Sequence, residues 1–180
     1  VGGVKSAFSP AEPSPVATIQ QEDFIQSVAA ALQYISYYHP ADYIEHLARA
    51  YASEQSPAAK DAIAQILTNS KMCAEGKRPI CQDTGIVNVF LDIGMDVRWE
   101  GFGSGTIDDA VNEGVRRAYL DPDNKLRGSV VADPLFSRKN TKDNTPAVVS
   151  MKVVPGTTPG VGAAAKGGGS AVKSNCAMST

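Results

Sequence analysis

Residues 78–94 read RPICQDTGIVNVFLDIG, and the character of the chain turns within them. Before Pro79 the apolar residues recur at helical spacing. From Ile86 to Ile93 the run is rich in Val, Ile, Leu and Phe and reads as a strand. Between the two lies a polar knot, Cys81-Gln82-Asp83-Thr84-Gly85, in which a thiol stands beside an amide and a carboxylate at the mouth of the strand. The fold expected from this junction is α/β (α+β), an N-terminal helical layer followed by a mixed β-sheet with a crossing helix.

Upstream of the junction, Phe24, Ile25, Val28, Ala31, Leu32 and Ile35 mark a first helix, starting at Gln20 and interrupted by Pro40. Tyr43, Ile44, Leu47 and Tyr51 share one side of a second. Ser56-Pro57 opens a third, with Ser at the N-cap and Pro at the first helical position. Its apolar face is Ile63, Ile66, Leu67 and Met72, and Gly76 ends it. Residues 1–19, with Pro10, Pro13 and Pro15, read as an irregular arm.

Downstream, residues 96–99 read as a short partner strand, and Gly101, Gly103 and Gly105 as a flexible loop. Residues 106–119 form an amphipathic pattern carrying Val111, Val115 and Tyr119. Asp121-Pro122-Asp123-Asn124 is a turn signal, residues 147–154 a strand, and residues 155–162 a loop. No internal repeat is visible.

Composition narrows the class. The chain has 180 residues, enough for one domain with its own core, and a hydrophobic fraction of 43% against 20% charged. A net charge of −2 gives no basic field for nucleic acid or an anionic membrane. No run approaches the roughly 18 apolar residues of a membrane span. The first twenty residues lack the compact apolar core of a signal peptide. The three cysteines, Cys73, Cys81 and Cys176, are odd in number and form no C-x-x-C pair. That argues against a disulfide framework, suits a reducing compartment, and leaves no paired spacing for structural zinc.

Three stretches could carry chemistry. In the knot at 81–85, a thiolate is a soft ligand for iron or zinc, or a nucleophile if its pKa is lowered. Gln82 offers donor and acceptor, and Asp83 accepts. The plain alternative is a small buried hydrophobe followed by an Asp-Thr-Gly turn. The run Asn140-Thr141-Lys142-Asp143-Asn144-Thr145-Pro146-Ala147 reads by itself as a solvated turn. Ala165-Lys166-Gly167-Gly168-Gly169-Ser170 either brings backbone N–H groups up to an anion or serves as a flexible loop. Its spacing is not that of a phosphate-binding P-loop. Arg127 could hold a carboxylate by a two-pronged hydrogen bond, while Arg116 and Arg117 read as a solvated helix face. His39 and His46 read as packing or surface residues, Trp99, Tyr34, Tyr37 and Tyr38 as core or interface aromatics, and Cys73 as an inert buried thiol.

Taken in order, I-C-Q-D-T-G opening a strand, then N-K-L-R, N-T-K-D-N-T-P-A and A-K-G-G-G-S resemble the N-terminal region of class I fumarate hydratases. These are the iron–sulfur members of the fumarase and tartrate dehydratase family, and the resemblance runs from about Gln20 to Lys173. It implies a 4Fe-4S cluster held by three cysteines, with one iron left open as a Lewis acid. Cys81 matches the first cluster ligand. Gln82 and Asp83 match substrate-contacting residues, Arg127 an arginine that grips a substrate carboxylate, and Gly169 a backbone contact to substrate. Lys166 fits the motif without an implied role.

The same resemblance implies a small dicarboxylate substrate, fumarate or L-malate, and a homodimer or a complementing C-terminal domain. It implies a cytoplasmic location, or the mitochondrial matrix. It places the other two ligands and the acid–base groups outside this chain. Residues 20–180 are then a partial N-terminal catalytic domain, expected to be inactive alone. Ser170-Ala171-Val172-Lys173 departs from the family's usual continuation, with Val172 where Asn is expected, and Cys176 does not match a second ligand. An L-tartrate dehydratase subunit and a non-catalytic module that has lost the cluster are the alternatives.

Overall fold

In a computed structural model, residues 16–81, 85–133, 135–157 and 160–166 are described. Strand β1 (Ala17–Gln20) runs into helix α1 (Gln21–Tyr37), followed by α2 (Ala41–Ser53) and α3 (Pro57–Gly76). Then come β2 (Ile86–Gly94), β3 (Val97–Glu100), α4 (Ile107–Tyr119), β4 (Val148–Val154) and β5 (Gly160–Lys166). The mixed α and β content, helices first and a mixed sheet after, is the architecture read from the sequence. Among the described residues no helix is long and apolar enough to cross a membrane.

The centre of the fold is β2. It pairs in parallel with β4 and antiparallel with β5. Its side chains alternate, so Val87, Val89 and Leu91 are buried on one face while Ile86 and Phe90 stay exposed on the other. Helices α1 and α4 cover the buried face. Phe24, Ile25, Val28, Ala29 and Leu32 meet Ala110, Val111, Val115, Ala118 and Tyr119 there. Each fully buried Val, Leu or Ile contributes about 1.5–3 kcal/mol, so this sandwich holds most of the stabilising burial. The two helices approach closely at Gly114, where a Cβ would lie 2.7 Å from the Val28 Cβ and 2.9 Å from the Ile25 carbonyl oxygen.

Helix α4 starts on a reciprocal cap. The Asp109 amide donates to Thr106 Oγ1 at 3.1 Å, and the Thr106 amide donates to the Asp109 carboxylate at 2.8 Å. Arg116 and Arg117 lie on a solvent-exposed face, as read from the sequence, and also tie elements together. Arg117 forks onto Glu22 of α1 and also bonds Glu113. Arg116 bridges Glu113 and Asp143.

Several local readings are corrected. The helical layer divides: α1 enters the core, whereas α2 buries no residue and α3 buries only Ser70 and Cys73. Ile66 and Met72, taken for part of an apolar inner face, are exposed, because α2 and α3 pack chiefly on each other as a hairpin outside the core. The left-handed residue closing α3 is Lys77, at φ 47°, one position beyond Gly76. Ser56 holds the N-cap position without a side-chain cap bond. The arm read over residues 1–19 ends in β1, whose register runs Ala17↔Val97 to Gln20↔Glu100. The short strand read at 96–99 is β3, and its partner is β1 rather than β2. The loop read over 155–162 gives way to β5 at Gly160. Main-chain pairing with β2 makes that strand, in a segment whose Gly, Ala and Lys residues are depleted in strands and where only Val161 favours one.

Candidate active site

The stretches that carry the resemblance converge at one end of the three-stranded sheet. Residues 81–85 lead straight into β2 at Ile86, and residues 140–147 lead straight into β4 at Val148. The parallel register pairs Asn88 with Val148, which puts the starts of the two strands at the same end. Strand β5 runs the other way, so its last residue, Lys166, pairs with Ile86. Lys166, the last described residue, thus lies beside the start of β2. Gln82, Asp83 and Gly169 lie outside the described residues.

Cys81 is set by the helices before it. The Ile80 amide donates to the Ser36 carbonyl of α1 at 2.8 Å, and Asn69 Nδ2 of α3 donates to the Ile80 carbonyl at 3.1 Å. The Arg78 amide closes back on the Cys73 carbonyl at 3.0 Å. Held in this way, the chain brings Cys81 out to an exposed position, so the reading of it as a buried small hydrophobe is overturned. Cys73 is buried, and its thiol faces Asn69 Oδ1 at 3.7 Å and the Pro79 carbonyl at 3.6 Å. That fits the inert role read for it. Neither thiol is in a disulfide.

The polar run 140–147 is not a solvated turn. Its central residue, Asn144, is 0% exposed. Asn144 Oδ1 accepts from the Ser129 amide at 2.8 Å and the Val130 amide at 3.1 Å, and Nδ2 donates to the Gly85 carbonyl at 3.0 Å. Two N–H donors at one end and a carbonyl at the other leave only one orientation for the carboxamide. The Ser129 hydroxyl donates to the same Gly85 carbonyl at 3.2 Å. Asn144 holds φ 62° and Gly85 φ 60°, a left-handed conformation that Gly and Asn tolerate better than other residues.

Arg127 is exposed between buried Leu126 and Gly128. Gly128 lies so close to the facing loop that a Cβ would be 2.8 Å from the Lys142 carbonyl oxygen. Asn140 Nδ2 donates to the Gly128 carbonyl at 2.8 Å, and the Thr141 amide to the Val130 carbonyl at 3.0 Å. Residues 126–130 and 140–144 therefore form one paired unit, and Asn144 joins that unit to Gly85. Burial pushes the Asp143 carboxyl up, but hydrogen bonds from the Thr145 side chain and backbone and from Arg116 outweigh it and hold it below its ordinary value. His39, against Ser70 Oγ at 3.0 Å, is lowered by burial, and His46 lies beside Arg49, so both keep the packing and surface roles read for them.

Among the described residues, no group of three or more His, Cys, Asp or Glu is placed to hold a metal ion. Cys81 presents one exposed thiol beside the end of the sheet, a donor of the type an iron–sulfur cluster takes. Cys73, buried on the far side of the 78–80 segment, does not add a second. Asn144 and Ser129 are the residues that reading the sequence passed over. A short polar run gives no sign that its middle residue will be enclosed, although an Asn among turn-forming residues was the available signal.

Comparison with known proteins gives the family. The chain belongs to the fumarate hydratase (Fumerase) family, whose sequence profile matches residues 25–180. A Methanocaldococcus jannaschii protein named "Putative L(+)-tartrate dehydratase subunit alpha" is 36% identical over 107 residues, 59% of this chain and 35% of its own length. The anaerobic class I fumarate hydratase of Escherichia coli is 35% identical over 109 residues, 61% of this chain and 19% of its own. The aerobic class I enzyme of Salmonella typhimurium is 36% identical over 109 residues, 61% of this chain and 18% of its own. The chain thus spans about a third or less of the relatives it matches.

Proposed function

We propose that this chain is the N-terminal part of the catalytic domain of a hydro-lyase that interconverts fumarate and L-malate. The observation that carries the reading is the convergence at one end of the sheet. The starts of β2 and β4 and the end of β5 meet there, with Cys81 exposed beside them. A 4Fe-4S cluster bound by Cys81 and two cysteines from outside this chain would supply an open Lewis-acid iron for the poor hydroxide leaving group.

The chain's own part is binding and orientation. Gln82 and Asp83 continue from Cys81 and would contact the substrate's polar groups. Arg127, exposed on the paired loop unit, would grip one carboxylate by a charge-assisted hydrogen bond. Gly169 would offer a backbone N–H where a side chain could not fit. Acid–base groups come from elsewhere, so the 180-residue chain alone is expected to be inactive. Its partner is a second copy in a homodimer or a complementing C-terminal domain, in the cytoplasm or mitochondrial matrix.

L-Tartrate is the second substrate reading, favoured by the name of the archaeal relative. The test is anaerobic iron and sulfide content of the complete gene product, with fumarate and tartrate assayed before and after exposure to air. About four irons per chain, activity on one substrate and its loss in air are expected, and Cys81→Ser should lower the iron. No iron after anaerobic reconstitution and no turnover of either substrate would put a non-catalytic module in place of this reading.

A further inference from the structure

Asn144 has no part in the reaction as proposed, yet it is the most completely enclosed polar side chain described. Its three hydrogen bonds all go to backbone, and they reach two separate loops. One loop begins at Cys81 and ends at Gly85. The other begins at Arg127 and includes the Ser129 and Val130 amides. We propose that Asn144 is a positioning residue that fixes Gly85, at the mouth of β2, against the Ser129–Val130 backbone of the segment that carries Arg127. This role in the reaction rests on the hydro-lyase reading; the linkage itself does not.

The geometry separates Asn144 from Cys81. The cysteine end of the first loop is anchored on α1 and α3, through the Ile80 amide to Ser36 and through Asn69 to the Ile80 carbonyl. Only the glycine end is held by Asn144 and Ser129. Releasing Gly85 from Asn144 therefore leaves the anchorage of Ile80 intact and loosens the mouth of β2. The second loop keeps its own pairing with residues 140–141 and is left tied to Gly85 only by the Ser129 hydroxyl at 3.2 Å. Substrate held from both loops senses such a change steeply, since misplacement by about 1 Å costs on the order of 100-fold in rate.

The test is Asn144→Gly in the complete protein, which keeps the left-handed backbone and removes the carboxamide. Amide exchange read by mass spectrometry should rise about tenfold or more in peptides covering 80–87 and 127–131 together, with α1 and α4 unchanged. Iron per chain should stay at the wild-type level while kcat/KM for fumarate hydration falls about 100-fold. Unchanged exchange in either peptide would overturn the linkage. Iron and kcat/KM falling in parallel would make Asn144 a general structural residue and overturn the positioning role. If Asn144→Gly does not fold, Ser129→Ala removes one donor from the Gly85 carbonyl and should give the same pattern at smaller amplitude, and its absence overturns the proposal. The expected exchange in a protein that hydrates neither fumarate nor tartrate would uphold the linkage and sink the hydro-lyase reading instead.

Discussion

Asn144 and Gly85 stand 59 positions apart in the sequence and are joined by a 3.0 Å hydrogen bond from Asn144 Nδ2 to the Gly85 carbonyl. The bond fastens the mouth of β2 to the loop that feeds β4. Both partners are needed there because a buried amide or carbonyl left unpaired costs about 1–3 kcal/mol.

The same loop pair makes Gly128 sensitive. A methyl group there would sit 2.8 Å from the Lys142 carbonyl oxygen and 3.0 Å from its carbon, both backbone atoms. Gly128→Ala is expected to cost about 1–3 kcal/mol through overpacking. Urea denaturation of the complete protein checks it, and an unchanged midpoint contradicts it.

Gly114→Ala tests the contact of α1 with α4. Alanine favours the helix by about 1 kcal/mol, but its Cβ would press on Val28 at 2.7 Å. A net loss of stability is expected, and Val28→Ala in the same chain should restore little of it, because alanine keeps the Cβ at 2.7 Å and the Ile25 carbonyl stays at 2.9 Å. A stabilised single variant would show that the helices can part without cost.

The cap of α4 predicts a coupled pair. Thr106→Ala should cost about 0.5–2 kcal/mol by removing the acceptor for the Asp109 amide. Because Thr106 and Asp109 serve each other, the double variant with Asp109→Ala should lose less than the sum of the two single changes. Strict additivity in thermal unfolding would argue against a reciprocal cap.

Acid should loosen the ion network on α4. The bond from Arg117 holds the Glu113 carboxyl below its ordinary 4.5, and Asp143 lies below its ordinary 3.8 despite burial that pushes it up. A carboxyl whose folded pKa is depressed stabilises fully above its unfolded value and loses that contribution as pH falls through the folded one. Stability is therefore expected to be level from neutral pH to about 5 and to decline below the ordinary carboxylate values. Asp143→Asn should make that decline shallower, and high salt should shrink the difference, because Arg116 is partly exposed. An acid limb identical in both proteins would remove Asp143 from the network.

Thiol labelling separates the two described cysteines. In metal-free native protein, peptide mapping should find Cys81 modified well before Cys73, which is buried against Asn69 and the Pro79 carbonyl. In denaturant the two should react alike. Equal native rates would contradict the anchoring of the 78–80 segment.

Much of this protein was written in local pattern. Helical spacing gave α1 its core face, the run of Val, Ile, Leu and Phe gave β2, and the amphipathic pattern over 106–119 gave α4 its buried Val111, Val115 and Tyr119. The ordered motifs identified the family that the comparison then showed. These features are legible because each depends on residues within a turn or two of one another. What tertiary structure decided has partners far off in the chain. Residues 17–20 and 160–166 became β1 and β5 because β3 and β2 offered them hydrogen bonds, and the apolar faces of α2 and α3 stayed outside because α1 and α4 already covered the sheet. Asn144 is the sharpest case. Its sequence neighbours say turn, and only the arrival of Gly85, Ser129 and Val130 makes it a buried tie, since enclosure by remote backbone leaves no periodic trace in the sequence.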